Sequence, residues 1–263
     1  MLANTQLLTE WANGRSWLTA GARLFAAGCL LCLTACATLP VDPAERAEVL
    51  KLNDPLEPSN RAVYEFNTAL WSTVVAPISM GYNSVEFTPV RTVLGNFLVN
   101  LREPMVFAND LAQGKECAAG ATLRRFMVNT TLGVGGIFDV AKRNGIEAHD
   151  NDFGLTLGVW GVPEGPYLML PVLGPSNARD VAGQTAEYFA DPTDLVLSNQ
   201  GWDTAIYVRA GLDSFQKQAE VQPDLVKLQR TSLDSYAALR SAYRQDQNAA
   251  INGEYCPDVM RAQ

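Results

Sequence analysis

FGLTLGVWGVPEGPYLMLPVLGPSN, residues 153–177, is the stretch on which the fold turns. Gly154, Gly158, Gly161, Gly165 and Gly174 alternate with Pro163, Pro166, Pro171 and Pro175. No single helix can run through such punctuation. Between the breaks sit Leu155, Leu157, Val159, Trp160, Tyr167, Leu168, Met169, Leu170, Val172 and Leu173. A surface loop this apolar would aggregate. The segment therefore has to pack against protein or lie in lipid, and in lipid its backbone groups must find partners inside the protein. Residues 155–159 alternate, which is a weak strand signal.

Outward from this segment the pattern is helical. Upstream, Asp54-Pro55-Leu56-Glu57-Pro58-Ser59-Asn60 marks a helix start. Val63, Tyr64, Phe66, Ala69, Leu70 and Trp71 follow at helical spacing until Pro77. Val90, Val93, Leu94, Phe97, Leu98 and Leu101 form a second run that Pro104 is expected to break. Residues 118–129 make a third, and 130–140 are apolar and glycine-rich, too short to span a bilayer. Downstream, 178–191 reads as a short helix and Pro192 starts another element. Pro223-Asp224 is expected to open a long amphipathic helix through Leu225, Leu228, Leu233, Tyr236, Leu239 and Tyr243 to about Gln247. The expectation is an all-α chain of short helices cut by proline and glycine.

The N-terminus carries an export signal. Arg15 and Arg23 precede the apolar run 24–33, and Leu33-Thr34-Ala35-Cys36 reads as a lipobox. Ten apolar residues are too few for a bilayer span, which needs about 20. Cleavage before Cys36 and covalent lipid on its sulfur are expected, giving a signal peptide (1–35), a lipidated tether (36–53), a main domain (54–247) and a C-terminal tail (248–263). Ala37 in place of Asp after the cysteine favours the outer membrane. Loss of Glu10, Arg15 and Arg23 takes the formal charge from −8 to near −9. That excludes a basic nucleic-acid face and electrostatic attachment to anionic headgroups, so membrane contact beyond the lipid has to be apolar.

Cys117 and Cys256 remain in the mature chain. In an oxidising periplasm they form one disulfide pinning the tail, or stay as two thiols; the residues leave both open. With one histidine and no paired-cysteine cluster outside the signal, no metal is expected. Enzyme chemistry finds little footing. The sole histidine, His149, lies in a polar turn, and no Gly-x-Ser-x-Gly elbow or phosphate-binding loop is present. The close carboxylates Asp150 and Asp152, and Asp191 and Asp194, read as solvated.

The motifs in order are specific. Asp54-Pro55-Leu56-Glu57-Pro58-Ser59-Asn60-Arg61 with Tyr64, Phe66 and Asn67 resembles the opening of the MlaA family, also called VacJ lipoproteins. The similarity continues through Asn96-Phe97, Glu103-Pro104, Gln113-Gly114, Arg125-Phe126, Asn129-Thr130 and Asp139-Val140-Ala141. It is densest from Phe153-Gly154 to Pro171, with Gly174, Arg179 and Asp180 completing it, and covers about 54–196. The resemblance implies a non-enzymatic outer-membrane lipoprotein embedded in the inner leaflet, a ring-like arrangement of short amphipathic helices around a central amphipathic channel. It implies removal of mislocalised outer-leaflet phospholipid, with no cofactor beyond the lipid on Cys36. The implied partners are a trimeric porin, a periplasmic phospholipid carrier of the Mla type and, indirectly, an inner-membrane ABC transporter. Arg124, Arg125, Arg179 and Asp180 are then candidates for the channel lining, with ordinary salt-bridging the competing reading. Gly161 and Gly165 are candidates for a flexing loop or plain turn glycines. An envelope scaffold that only tethers porins is the alternative function. A lipid hydrolase is a third and needs His149.

Overall fold

The structure is a computed structural model that describes residues 42, 53–82, 84 and 88–261. The signal segment, Cys36 and nearly all of the tether lie outside the described residues. The chain divides into a unit Met1–Ser59 and a larger unit Asn60–Gln263. All contacts described below fall within the larger one.

The elements run α1 (Glu57–Leu70), a π turn (Trp71–Val75), α2 (Ala76–Tyr82), α3 (Thr88–Ala112), α4 (Glu116–Thr131), α5 (Val140–Arg143), α6 (Phe153–Val159), β1 (Tyr167–Leu170), β2 (Gly174–Asn177), α7 (Ala178–Ala190), α8 (Pro192–Asn199), α9 (Asp203–Thr231), α10 (Ser235–Asn252) and α11 (Asp258–Arg261). The fold is mostly helical, and among the described residues no helix is long and apolar enough to cross a membrane. The π turn has a local cause. Pro77 has no N–H to give, and just before it the Ala76 N–H bonds back to the Trp71 carbonyl.

The proline readings need correction. Pro104 does not break its helix; α3 runs through it. An internal proline costs about 3 kcal/mol, but Glu103, Val106, Asn109 and Asp110 around it are all buried, and their contacts hold the helix together. Pro223 likewise lies inside α9 rather than at its start. The break comes later, at Ser232–Asp234, where the Asp234 side chain accepts the Ala237 N–H at 3.0 Å and caps α10. One helix in the sequence reading is thus two. The reading that Pro192 starts a new element matches α8, where proline occupies the first turn and Asp191 caps it.

The decisive stretch 153–177 resolves into three pieces. Residues 153–159 are helical, not a strand; Asp152 caps them through the Leu155 N–H at 2.8 Å. Residues 167–177 form an antiparallel hairpin with Tyr167 opposite Asn177, which the sequence reading lacked. A two-stranded ribbon is marginal alone, and this one borrows a third edge from side chains. Asn60 donates to the Tyr167 carbonyl (3.0 Å) and accepts the Met169 N–H (2.9 Å). Asn67, two turns further along α1, does the same for the Leu170 carbonyl (2.9 Å) and the Val172 N–H (2.8 Å). Two amides at i and i+7 thus satisfy the exposed ladder of β1. Beneath the hairpin Tyr167, Met169 and Tyr236 form a buried aromatic cluster with Tyr64 and Tyr243 against it.

Close approach explains two of the glycines. A Cβ on Gly183 would stand 2.3 Å from the Gly154 backbone nitrogen. The crossing of α6 over α7 exists only because both positions lack a side chain.

Candidate functional site

Polarity in this protein is distributed the wrong way round for a protein bathed in water. Among the described residues 12 apolar residues are buried, five of them alanine, against 18 polar or charged ones. Meanwhile 28 large apolar side chains are exposed, which inverts the usual order. They include Met80 on α2, Phe97 on α3, Met127 on α4, Leu132 after it, and Phe189, Leu195, Val196, Trp202 and Tyr207 around α8. Three of them, Val172, Leu173 and Val221, line the apolar cavity described below; if each of the others exposes on the order of 75 Å², the total is roughly 1,900 Å².

The interior is held by polar networks. Arg125 on α4 is 1% exposed and donates through Nε to Glu103 Oε1 (2.8 Å), through Nη2 to Asp139 Oδ2 (3.1 Å) and through Nη1 to the Ile146 carbonyl. Burial pushes the Glu103 carboxyl above its ordinary range. Burial acts on Asp139 in the same direction but is outweighed by the Lys142 N–H and Arg125, which hold it low. Arg179 and Asp180 pair at 3.3 Å, Arg179 reaches Gln247 (3.2 Å), and the Tyr243 hydroxyl donates to Asp180. This fastens α7 to α10, and burial followed by the Asp180 charge pushes the Tyr243 hydroxyl up. Asp110, wholly buried, accepts from Thr122 (2.6 Å) and Asn151 (2.7 Å) and bonds His149 Nε2 (2.9 Å). His149 also stacks on Tyr255, ring centroids 4.3 Å apart.

Two cavities share a wall. The more polar one, of about 420 Å³, lies between α3, α7 and α9, lined by Arg102, Asp152, Glu187, Asp191, Asp194 and Arg209 together with apolar Leu98, Met105, Val106 and Leu173. A mostly apolar one of about 740 Å³ lies between α1, the hairpin, α9 and α10, lined by Trp71, Met169, Val172, Val221, Leu225 and others. Leu173, Lys217 and Gln218 line both. Gln218 contacts the Val172 and Leu173 carbonyls, each at 3.3 Å.

The residues singled out from sequence sit elsewhere. None of Arg124, Arg125, Arg179 and Asp180 lines either cavity. Arg124 is exposed on α4 with Nη1 3.5 Å from the Met260 sulfur. Arg125, Arg179 and Asp180 are buried and ion-paired. Gly161 and Gly165 have φ of +85° and +67° and occupy turns. Cys117 and Cys256 are bonded, with Cα atoms 5.4 Å apart, tying the tail to α4. The solvated reading of Asp152, Asp191 and Asp194 is corrected: they line the polar cavity, and burial pushes Asp152 and Asp194 up. Sequence reasoning missed Arg102, Glu187 and Arg209 altogether. The available signal was their place on amphipathic helices flanking a glycine-tight crossing.

A family model, MlaA lipoprotein, matches residues 52–250. The chain belongs to the MlaA lipoprotein family. It is 35% identical over 227 residues to the "Intermembrane phospholipid transport system lipoprotein MlaA" of Escherichia coli, covering 84% of this chain and 85% of that one. The protein of that name from Haemophilus influenzae is 29% identical over 225 residues, covering 84% and 87%. An uncharacterised Rickettsia typhi protein is 31% identical over 202 residues, covering 77% and 79%. A solved structure described as "Structural basis for maintenance of bacterial outer membrane lipid asymmetry" superposes with a TM-score of 0.66 at 31% identity, covering 76% of this chain and 99% of that one. The MlaA motif Phe153–Pro171 maps onto α6, the glycine turns and β1, so the family block encodes the helix crossing and the hairpin.

Proposed function

We propose that this MlaA-family lipoprotein sits in the periplasm-facing leaflet of the outer membrane and draws mislocalised phospholipid out of the outer leaflet. The observation that carries the reading is the inverted polarity: apolar side chains outside, charge and amide inside. Each 100 Å² of that apolar surface moved from water to acyl chains is worth about 2.5 kcal/mol, which favours the leaflet, and lipid on Cys36 adds its anchor. In this reading the more polar cavity takes the headgroup and the apolar one beside it takes the acyl chains. Lipid is then passed to a soluble periplasmic carrier of the Mla type, which delivers it to an inner-membrane ABC transporter; a trimeric porin holds the lipoprotein in place. The protein catalyses no covalent step in this scheme, and direction comes from the partners.

The test is transfer of labelled phospholipid from outer-membrane vesicles to the soluble carrier, with and without this protein. Transfer that depends on the protein supports the reading. Normal transfer without it, together with an unchanged outer-leaflet lipid content in a clean deletion, refutes it and leaves porin tethering.

A further inference from the structure

Chain ends ordinarily fray, but residues 253–261 are fastened by three separate contacts. Cys256 is bonded to Cys117 on α4, 139 residues away in sequence. Tyr255 stacks on His149, with ring centroids 4.3 Å apart, and its hydroxyl donates to the Glu147 carbonyl. Met260 packs with Tyr255 against the buried Ala121, Ala141 and Ile146. The helix before the tail, α10, does not depend on these contacts. Lys115 donates to the Ala250 carbonyl at 3.1 Å, Arg179 donates to Gln247, and Asp180 accepts from Tyr243. Opening the disulfide therefore frees the residues after Asn252 and leaves α10 in place.

The tail bears on a segment with no regular structure of its own. Residues 146–152 are in neither helix nor strand, so side-chain contacts decide where they lie. Glu147 and Ala148 line a third cavity, of about 740 Å³, between α3, α5 and α9. Asp150, Asn151 and Asp152 line the polar cavity, which also lies between α3 and α9. The segment is thus a strap that walls both. Asp150 stands 3.3 Å from Arg102 on α3, and Arg102 stands 3.3 Å from Asp213 on α9. Contacts run unbroken from the tail through Tyr255, the strap and Arg102 to α9.

We propose that the Cys117–Cys256 bond is a redox-sensitive latch on this strap. Closed, it holds Tyr255 against Glu147 and His149 and keeps the wall of both cavities fixed. Open, it lets the strap move away from Arg102 and the bridge to α9 slacken. Both cysteines are partly exposed, so a dithiol donor can reach them. One thiolate of the donor attacks a sulfur of the bond, its second thiol closes the donor's own disulfide, and Cys117 and Cys256 leave as thiols carrying the donor's two protons. The consequence for lipid transfer rests on the proposed transport function; the hold on the strap does not.

The test compares the full lipoprotein in detergent, oxidised and after dithiothreitol, by hydrogen exchange read with mass spectrometry. Cys117→Ser with Cys256→Ser repeats the open state without reductant. Residues 147–151 should exchange about tenfold faster when the bond is open, while α4 and α10 change little. Tyr255→Leu, with the bond intact, should loosen the same residues because it removes both the stack and the hydroxyl. Transfer of labelled phospholipid to the soluble carrier should rise about threefold in the open state, as for a loosened gate. Unchanged exchange at 147–151 in the open protein or in Tyr255→Leu overturns the latch. An equal rise through α4 and α10 also overturns it, since the bond would then staple the whole fold. Unchanged transfer beside a loosened strap overturns its role at the passage. No transfer by the oxidised protein overturns the transport function, while faster exchange confined to 147–151 still supports the latch.

Discussion

Replacing Arg125 with methionine separates a structural role from a transport role. Arg125 and Glu103 are 1% and 4% exposed, and their contact is 2.8 Å. Removing the guanidinium leaves Glu103 buried without its cation, a loss of about 3–5 kcal/mol for such pairs. The carboxyl has one escape, which is protonation. From the ordinary glutamate value of 4.5, neutralising it at pH 7 costs about 3.4 kcal/mol at about 1.36 kcal/mol per pH unit. That sets the scale of the defect. It also fixes its pH dependence, because a carboxyl raised in the folded state is at no disadvantage below 4.5 and loses stability as pH rises. The destabilisation of Arg125→Met should shrink as pH falls from 7 to 5, by at most about 1.4 kcal/mol per unit because burial already raises Glu103 in the wild type. The assay is reversible unfolding in detergent followed by circular dichroism at both pH values, beside the lipid-transfer rate of the folded fraction. A loss below about 1 kcal/mol with no pH dependence, accompanied by slowed transfer, refutes the staple and restores Arg125 to the passage.

Gly183→Ala places a methyl 2.3 Å from the Gly154 nitrogen; a loss of about 1–3 kcal/mol is expected from overpacking, measured as a lower Tm. Asn67→Ala leaves the Leu170 carbonyl and Val172 N–H without their partner. It should cost about 1–3 kcal/mol and speed hydrogen exchange at Val172 while α4 amides stay protected. Asp234 is held down to about 2 by Arg61 and the Ala237 N–H. Its contribution is complete above 3.8, the ordinary value, and is lost as pH falls toward 2. The pair is solvent-exposed, so Asp234→Asn should cost at most about 1 kcal/mol at pH 7 and only a small part of that at pH 2 in an unfolding titration.

Much of the architecture was legible because it rests on periodicity. The helical runs after Asn60, Pro89, Ala118 and Ala178 all appear where apolar spacing put them. The errors have two causes, tertiary contacts overriding local signals and a local cap at Asp234 that the proline reading passed over. Pro104 stays helical because its neighbours are buried on both sides, and Pro223 because the stop signal lies at Asp234. The hairpin was hidden because its outer edge is satisfied by Asn60 and Asn67, more than 100 residues away in sequence. The site was less legible than the fold. Charge inside a polar interior does not say whether it faces a void or another charge. Arg125 and Arg179 met partners away from the two cavities that share a wall, while Arg209 and Glu187, partnered across elements as well, also line one. Only the packing of α3, α7 and α9 decides between these fates.

The central claim is that the exposed apolar side chains face acyl chains rather than water. Trp202 is 63% exposed, and a single-tryptophan variant retaining it can report its solvent. Reconstituted into bilayers of acyl-brominated phospholipid, its fluorescence should be strongly quenched by bromine and barely touched by aqueous acrylamide. Full acrylamide quenching with no effect of bromine would contradict the account.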